Sequence, residues 1–239
     1  RSAMISLSDL VDDRMREAKT GMWWETQGQR AIANNSAVYE NRRPDMQVFM
    51  KEWKSLYDSK SGERGMFSRY ACQDIAKKHG RKHDYPFGTN PCSEIILRPF
   101  QFCNLTEIVV REHDTFATLE EKAEIASFLG TIQSSFTNFE YLRPIWRENC
   151  EEERLLGVSM TGVADNLAVL TPENLEALKD TVLHVNQYWA KKLGIPASAA
   201  TTCNKPSGTV SQLVGAGKGG IHVQHDDFWI RSVRADNKD

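Results

Sequence analysis

Stretches that read as strands alternate with stretches of helical periodicity along the chain, and Gly or Pro cuts most of the boundaries. This alternation constrains the fold most, because it calls for strands joined through helices in one α/β body. Ala3 to Leu7 reads as a short strand, and Ser8-Asp9 predicts a cap for a helix to about Lys19, stopped by Gly21. Ala31 to Tyr39 is ambiguous and contains the turn-like Asn34-Asn35-Ser36. Pro44-Asp45 opens an amphipathic helix whose expected buried stripe is Met46, Phe49, Met50, Trp53, Leu56 and Tyr57, broken at Gly62 to Gly65. A short helix over Tyr70 to Lys78 and a loop over His79 to Asn90 follow. Gln101 to Val110 predicts a buried strand. Thr118 and Glu121 predict a capping box for a long helix burying Ile125, Phe128, Leu129, Ile132, Phe136 and Phe139. After the apolar Arg154 to Val163, a helix from about Leu175 to Leu193 closes at Gly194 and Pro196. A small-residue strand, the loop Lys205 to Thr209, the glycine-rich Gly215 to Gly220 and a strand over Phe228 to Val233 complete the reading. No repeat or linker divides the 239 residues.

Composition narrows the function classes. Hydrophobic residues make up 40%, charged residues 26%, and the formal net charge is −2, so no strong field draws polyanions. The run Lys77-Lys78-His79-Gly80-Arg81-Lys82 reads as a solvated turn rather than a nucleic-acid patch. No apolar run approaches the roughly 20 residues that span a bilayer, and no secretory signal is read. Five cysteines at irregular spacing do not resemble a secreted disulfide framework, so a reducing cytoplasm is expected. The chain opens on Arg1-Ser2-Ala3 and stops at Asp239, and it is expected to be a piece of a longer protein.

The chemistry concentrates in Gly88 to Ile108, GTNPCSEIILRPFQFCNLTEI. Pro91 pushes Asn90 towards extended geometry. If residues 90–94 are extended, Asn90, Cys92 and Glu94 share one face, an amide, a thiol and a carboxylate in a row. Burying such a row is costly unless a polar ligand satisfies it. The same residues also fit a loop with a structural cysteine. A nucleophilic Cys92 would need a base, for which His83 is the nearest candidate. Cys72, His79, His83 and Cys92 lack compact metal-ligand spacing, and no metal site is expected.

Asn90-Pro91-Cys92-Ser93-Glu94-Ile95 resembles the finger-loop signature of ribonucleotide reductase catalytic subunits. Glu153-Arg154-Leu155-Leu156-Gly157-Val158, Lys205-Pro206-Ser207-Gly208-Thr209-Val210-Ser211 and Gly220-Ile221-His222 are similar to later blocks of that family, in the same order. Arg1-Ser2-Ala3 looks like text just after its Gly-Gly-Val-Arg segment. Asn34-Asn35-Ser36, the Lys205 to Thr209 loop and Ile230-Arg231-Ser232-Val233-Arg234 look most like the adenosylcobalamin-dependent, class II enzymes.

The resemblance implies part of a ten-stranded α/β barrel with a central finger loop, incomplete at both ends, over residues 1–239. It implies reduction of ribonucleotides to 2′-deoxyribonucleotides. Cys92 would be the thiyl radical, Glu94 the general base on the 3′-hydroxyl, and Asn90 the group that orients the sugar. Cys103 would be one half of the reducing dithiol, with the other half upstream of Arg1. Cys72 and Cys150, read in a helix and a charged turn, do not match that half, and Cys203 reads as structural. Pro206, Ser207, Gly208 and Thr209 would bind substrate phosphates, helped by a helix starting near Val210. The residues alone also allow an ordinary turn there, and a structural or solvated role for His222 and His225. Adenosylcobalamin is the implied cofactor. A nucleoside triphosphate effector and a thioredoxin-type dithiol are the implied partners. A class I subunit with a radical-generating partner and a nucleotide-binding module without turnover are the competing readings.

Overall fold

A computed structural model describes residues 4–222 and Asp226. The expected strand over Phe228 to Val233, the Ile230 to Arg234 block, His225 and Arg1-Ser2-Ala3 lie outside the described residues. Strands β1 (Met4–Ser8), β2 (Ala33–Tyr39) and β3 (Gly65–Ser68) form a parallel sheet in that order. Strands β4 (Gly88–Thr89) and β5 (Ile96–Leu97) make a short antiparallel hairpin. Strands β6 (Asn104–Val109) and β7 (Leu156–Thr161) pair in parallel, and Thr202 bridges to Val158 on the far side of β7. The helices are α1 (Asp13–Arg16), α2 (Trp23–Thr26), α3 (Met46–Ser59), α4 (Arg69–Lys78), α5 (Phe116–Ser134), α6 (Pro144–Glu153), α7 (Pro172–Leu193) and α8 (Val210–Leu213). Among the described residues no helix is long and apolar enough to cross a membrane.

Local chemistry sets most helix ends. The Asp45 carboxylate accepts hydrogen bonds from the Gln47 and Val48 N–H groups at 2.9 and 3.1 Å and starts α3. Thr171 caps α7 with Pro172 in its first turn, and Gly194 ends it at φ +67°. The capping box of α5 uses Thr115 and Thr118 instead of Thr118 and Glu121, one turn earlier than expected. The first helix is only α1, because its cap is Asp12, not Ser8 or Asp9. Cys150 lies buried in α6 rather than in a turn.

Two of the expected apolar stripes are not the most buried faces of their helices. On α5 the residues against the sheet are Leu119, Ala123, Ala126 and Gly130, while Ile125 and Leu129 are 59% and 53% exposed, as is Phe136 just past the helix at 70%. Small residues let the helix come close: a Cβ on Gly130 would stand 3.1 Å from the Leu156 side chain. The core therefore joins Ile108, Val110 and Val158 of one sheet face to Leu119, Ala123, Leu178 and Val182. Ser127 Oγ donates to the Val182 carbonyl at 2.8 Å and couples α5 to α7.

On α3, Met46, Met50, Trp53 and Tyr57 are exposed, and the fully buried residue is Glu52. Arg64 donates to both Glu52 oxygens at 2.9 and 2.8 Å, and Arg16 Nε donates to Oε1. An ion triad, not the apolar stripe, fixes α3. Burial alone would raise the Glu52 carboxyl, but the two guanidiniums outweigh it and hold the group below its usual value.

Removing one partner of such a cluster leaves buried charge uncompensated. Glu52→Ala is expected to cost about 3–5 kcal/mol in urea unfolding, and Trp53→Ala about 0.5 kcal/mol or less. A lowered folded pKa means this stabilisation is present above the ordinary carboxylate range and is lost as pH falls through the folded value. The gap between wild type and Glu52→Gln should therefore narrow on acidification below about pH 4.5.

Candidate active site

The β4–β5 hairpin carries the thiol singled out in the sequence. Gly88 pairs with Leu97 and Thr89 with Ile96, leaving residues 90–95 as the tip. The tip is a tight turn, not an extended run: Ser93 N–H donates to the Asn90 carbonyl at 2.9 Å, and Ser93 takes φ +64°. Pro91 suits the first corner of such a turn, and the Asn90 side-chain oxygen accepts from Ile95 N–H at 3.0 Å. Asn90, Cys92 and Glu94 therefore do not form one alternating row. Cys92 stands exposed at the corner, while Glu94 and Asn90 are half-buried behind it. Asn34 of β2 donates to the Pro91 carbonyl at 2.5 Å and ties the tip to the first sheet.

The base of the hairpin is held by buried charge. Arg81 donates to Glu153 Oε1 and Oε2 at 3.0 and 2.8 Å and to the Ile96 carbonyl at 3.2 Å. Arg98, just past β5, lies 3.0 Å from Glu153 Oε1, and Gln101 donates to Oε2 at 2.7 Å. Glu153 is the last residue of α6, so the hairpin is anchored where α6 turns into β7.

Beneath the tip lies the sheet face that the helices leave free. With Ile108 and Val158 packed on α5 and α7, the alternate residues Leu105, Glu107 and Val109 face the other way, as do Gly157, Ser159 and Thr161. A Cβ on Gly157 would meet Leu105 at 2.5 Å, Cys203 Sγ at 2.9 Å and Ile95 Cδ1 at 3.3 Å, so any side chain there would displace its neighbours. Cys203, expected to be structural, thus sits against this face. Cys103 precedes β6 and shares its electrostatics with Glu94 and Cys203. Burial, then the Glu94 carboxylate, pushes the Cys103 thiol up to about 11 and the Cys203 thiol up to about 12.

The Lys205 to Thr209 loop closes the far end. Lys205 N–H donates to Ser159 Oγ at 2.9 Å. Ser207 is 2% exposed, and Gly220 packs so closely on it that a Cβ there would lie 3.0 Å from the Ser207 carbonyl oxygen. Pro206 is half-buried, and Gly208 and Thr209 are exposed. The helix expected near Val210 is the four-residue α8, and Thr209 makes no side-chain cap to it. Asp165 accepts from Gly217 and Lys218 N–H at 2.9 and 2.6 Å and pins the glycine-rich turn. His222 is exposed.

Four buried oxygens along this face have no hydrogen-bond partner among the described residues: Glu94 Oε2, Glu107 Oε1, Thr161 Oγ1 and Ser207 Oγ. Such atoms are rare in folded proteins unless a ligand or ordered water serves them. Sequence reasoning missed Glu107, Thr161, Asp165 and Glu153. Glu107 and Thr161 gave no signal beyond strand alternation, and Glu153 meets Arg81 across 72 residues of chain.

No family model matches the chain. It is 31% identical over 205 residues to the adenosylcobalamin-dependent ribonucleoside-triphosphate reductase of Lactobacillus delbrueckii subsp. bulgaricus, covering 70% of this chain and 27% of that protein. It is 26% identical to the enzyme of the same name from Levilactobacillus brevis, across 100% of this chain and 35% of the relative. The chain thus spans about a third or less of the length of the curated relatives it matches. A crystal structure of a B12-dependent (class II) ribonucleotide reductase matches in fold, with TM-score 0.66 and 22% identity, over 91% of this chain and 34% of that one.

The thiols should separate cleanly in reactivity. At pH 8 a thiol with pKa about 11 is ionised to about one part in a thousand, and alkylation follows the thiolate. Iodoacetamide labelling read by peptide mass spectrometry should modify exposed Cys92 first and leave Cys103 and Cys203 largely unmodified. Equal labelling of the three would contradict the described burial.

Proposed function

We propose that this chain, similar over much of its length to adenosylcobalamin-dependent ribonucleoside-triphosphate reductases, is the central part of the catalytic barrel of such an enzyme. Its two parallel sheets would be arcs of the ten-stranded barrel, residues 1–239 one continuous part of it, and the β4–β5 hairpin the finger loop. The observation that carries the reading is an exposed thiol on an anchored hairpin, above a face whose buried oxygens lack partners.

In this reading Cys92 takes hydrogen from C3′ of the ribose as a thiyl radical. Glu94 accepts the 3′-hydroxyl proton, and its unpartnered Oε2 supports that role. Asn90 spends its amide oxygen on the turn, which leaves its amide N–H groups to orient the sugar. The 2′-hydroxyl leaves as water. Two electrons and two protons come from two thiols that join as a disulfide, one of them Cys103. A thioredoxin-type dithiol would restore the pair, in a cytoplasm that keeps the free thiols reduced. Pro206, Ser207, Gly208 and Thr209 would hold the phosphates with hydroxyls and N–H groups, since a four-residue helix adds little dipole. A nucleoside triphosphate effector would act elsewhere on the protein. The exposed position of Cys92 fits access by a radical-generating cofactor. Adenosylcobalamin, when bound, would supply the one-electron chemistry that this thiol cannot start alone.

The full-length protein, given a ribonucleoside triphosphate, adenosylcobalamin and a dithiol, should form deoxynucleotide by chromatographic assay. Cys92→Ala should abolish product while ribonucleotide affinity by calorimetry changes about twofold or less. Turnover by Cys92→Ala would end the radical assignment. Turnover by the wild type without the cobalamin would end the cofactor assignment.

A further inference from the structure

We propose that Glu107 is a further substrate-binding residue, its carboxylate accepting a hydrogen bond from the 2′-hydroxyl of the ribose. The proposal rests on the ribonucleotide reading above and names a contact that reading does not contain.

Glu107 lies in the middle of β6, level with Ser159 of β7, on the face turned away from α5 and α7. One step down the same face are Leu105 and Gly157, where the hairpin is seated, and one step up are Val109 and Thr161. From the lower step to the upper is about 13 Å, comparable with the length of a nucleotide from sugar to phosphates. Glu94 enters at the lower end with the hairpin. Ser207 lies at the upper end, since Gly220, packed on it, accepts from Val163 N–H just past β7.

The carboxylate is short of partners. Its Oε1 is buried without a hydrogen bond among the described residues. The neighbouring hydroxyl is engaged elsewhere: Ser159 Oγ takes the Lys205 N–H. A carboxyl oxygen of this kind accepts, and leaving it buried and unpaired is costly. An O–H or N–H donor brought by a ligand would complete it, in the place that ordered water takes otherwise. Phosphates offer none and are repelled, which excludes the ligand's upper end. The sugar hydroxyls are the donors on the stretch between. Glu94 is assigned the 3′-hydroxyl, so the second orphan acceptor falls to the 2′ position. It follows that the site binds its substrate better than its 2′-deoxy product, which would leave the Glu107 oxygen unpaired again.

Calorimetric titration of the full-length protein tests this, without cobalamin or reductant so that no turnover occurs. The probes are a ribonucleoside triphosphate and its 2′-deoxy counterpart. Glu107→Ala should weaken the ribonucleotide by about tenfold or more and leave the deoxynucleotide within about twofold, because the lost bond is charge-assisted. Glu107→Gln, nearly isosteric, guards against misfolding and should show a smaller loss of the same selectivity, with an unchanged melting temperature. Equal losses for both nucleotides, or no loss for either, would overturn the assignment. If the wild type binds neither nucleotide, the ribonucleotide reading falls and the assignment with it.

Discussion

One buried carboxylate joins the parts of the site. Glu153 ends α6, receives Arg81, Arg98 and Gln101 on its two oxygens, and offers its own carbonyl to Ala199 N–H at 2.8 Å. The hairpin, the helix and the segment alongside β7 thus meet at one residue. Burial alone would raise its carboxyl, yet Arg81 and Gln101 hold it low, so it stays charged. Clusters of this kind add little net stability over a well-packed apolar group. What they do impose is direction: a bidentate guanidinium fixes both distance and plane. The tip of a hairpin with only two paired residues per strand inherits its position from that geometry.

The electrostatics of the neighbouring thiols suit one kind of chemistry better than another. A nucleophilic cysteine needs its thiolate and sits beside positive charge. Cys103 and Cys203 are instead raised, first by burial and then by Glu94, with Lys205 only a weaker opposing influence. Thiols held in the S–H form at neutral pH are poor nucleophiles, so these two do not suit covalent catalysis.

The legible parts of the fold were those written in a few adjacent residues. Asp45 and Gly194 act on their own backbone, so the helix ends they imply are the observed ones, whereas the Thr171-Pro172 start of α7 precedes the expected Leu175. The illegible parts depend on what lies across the fold. On α5 the large apolar residues suggested the core, but the sheet selected Ala123, Ala126 and Gly130 because a close approach needs small side chains. On α3 the inward residue is Glu52, drawn in by two arginines from distant segments. The thiol, amide and acid of the hairpin were visible, but their arrangement was not, since Asn90 prefers to close a turn on Ile95 N–H over continuing a strand. Glu107 was hidden for a different reason: a single acid in a strand says nothing until the opposite face is known to be covered.

The seat of the hairpin on the sheet is set by a missing carbon. At Gly157 the strand presents only hydrogen to Leu105, Ile95 and Cys203. Any larger residue would press first on the Leu105 and Cys203 side chains and then on Ile95 of the hairpin. In the proposed reaction, the distance between sulfur and carbon would matter on the scale of such a displacement. A position with no functional group of its own therefore helps to set where the hairpin sits.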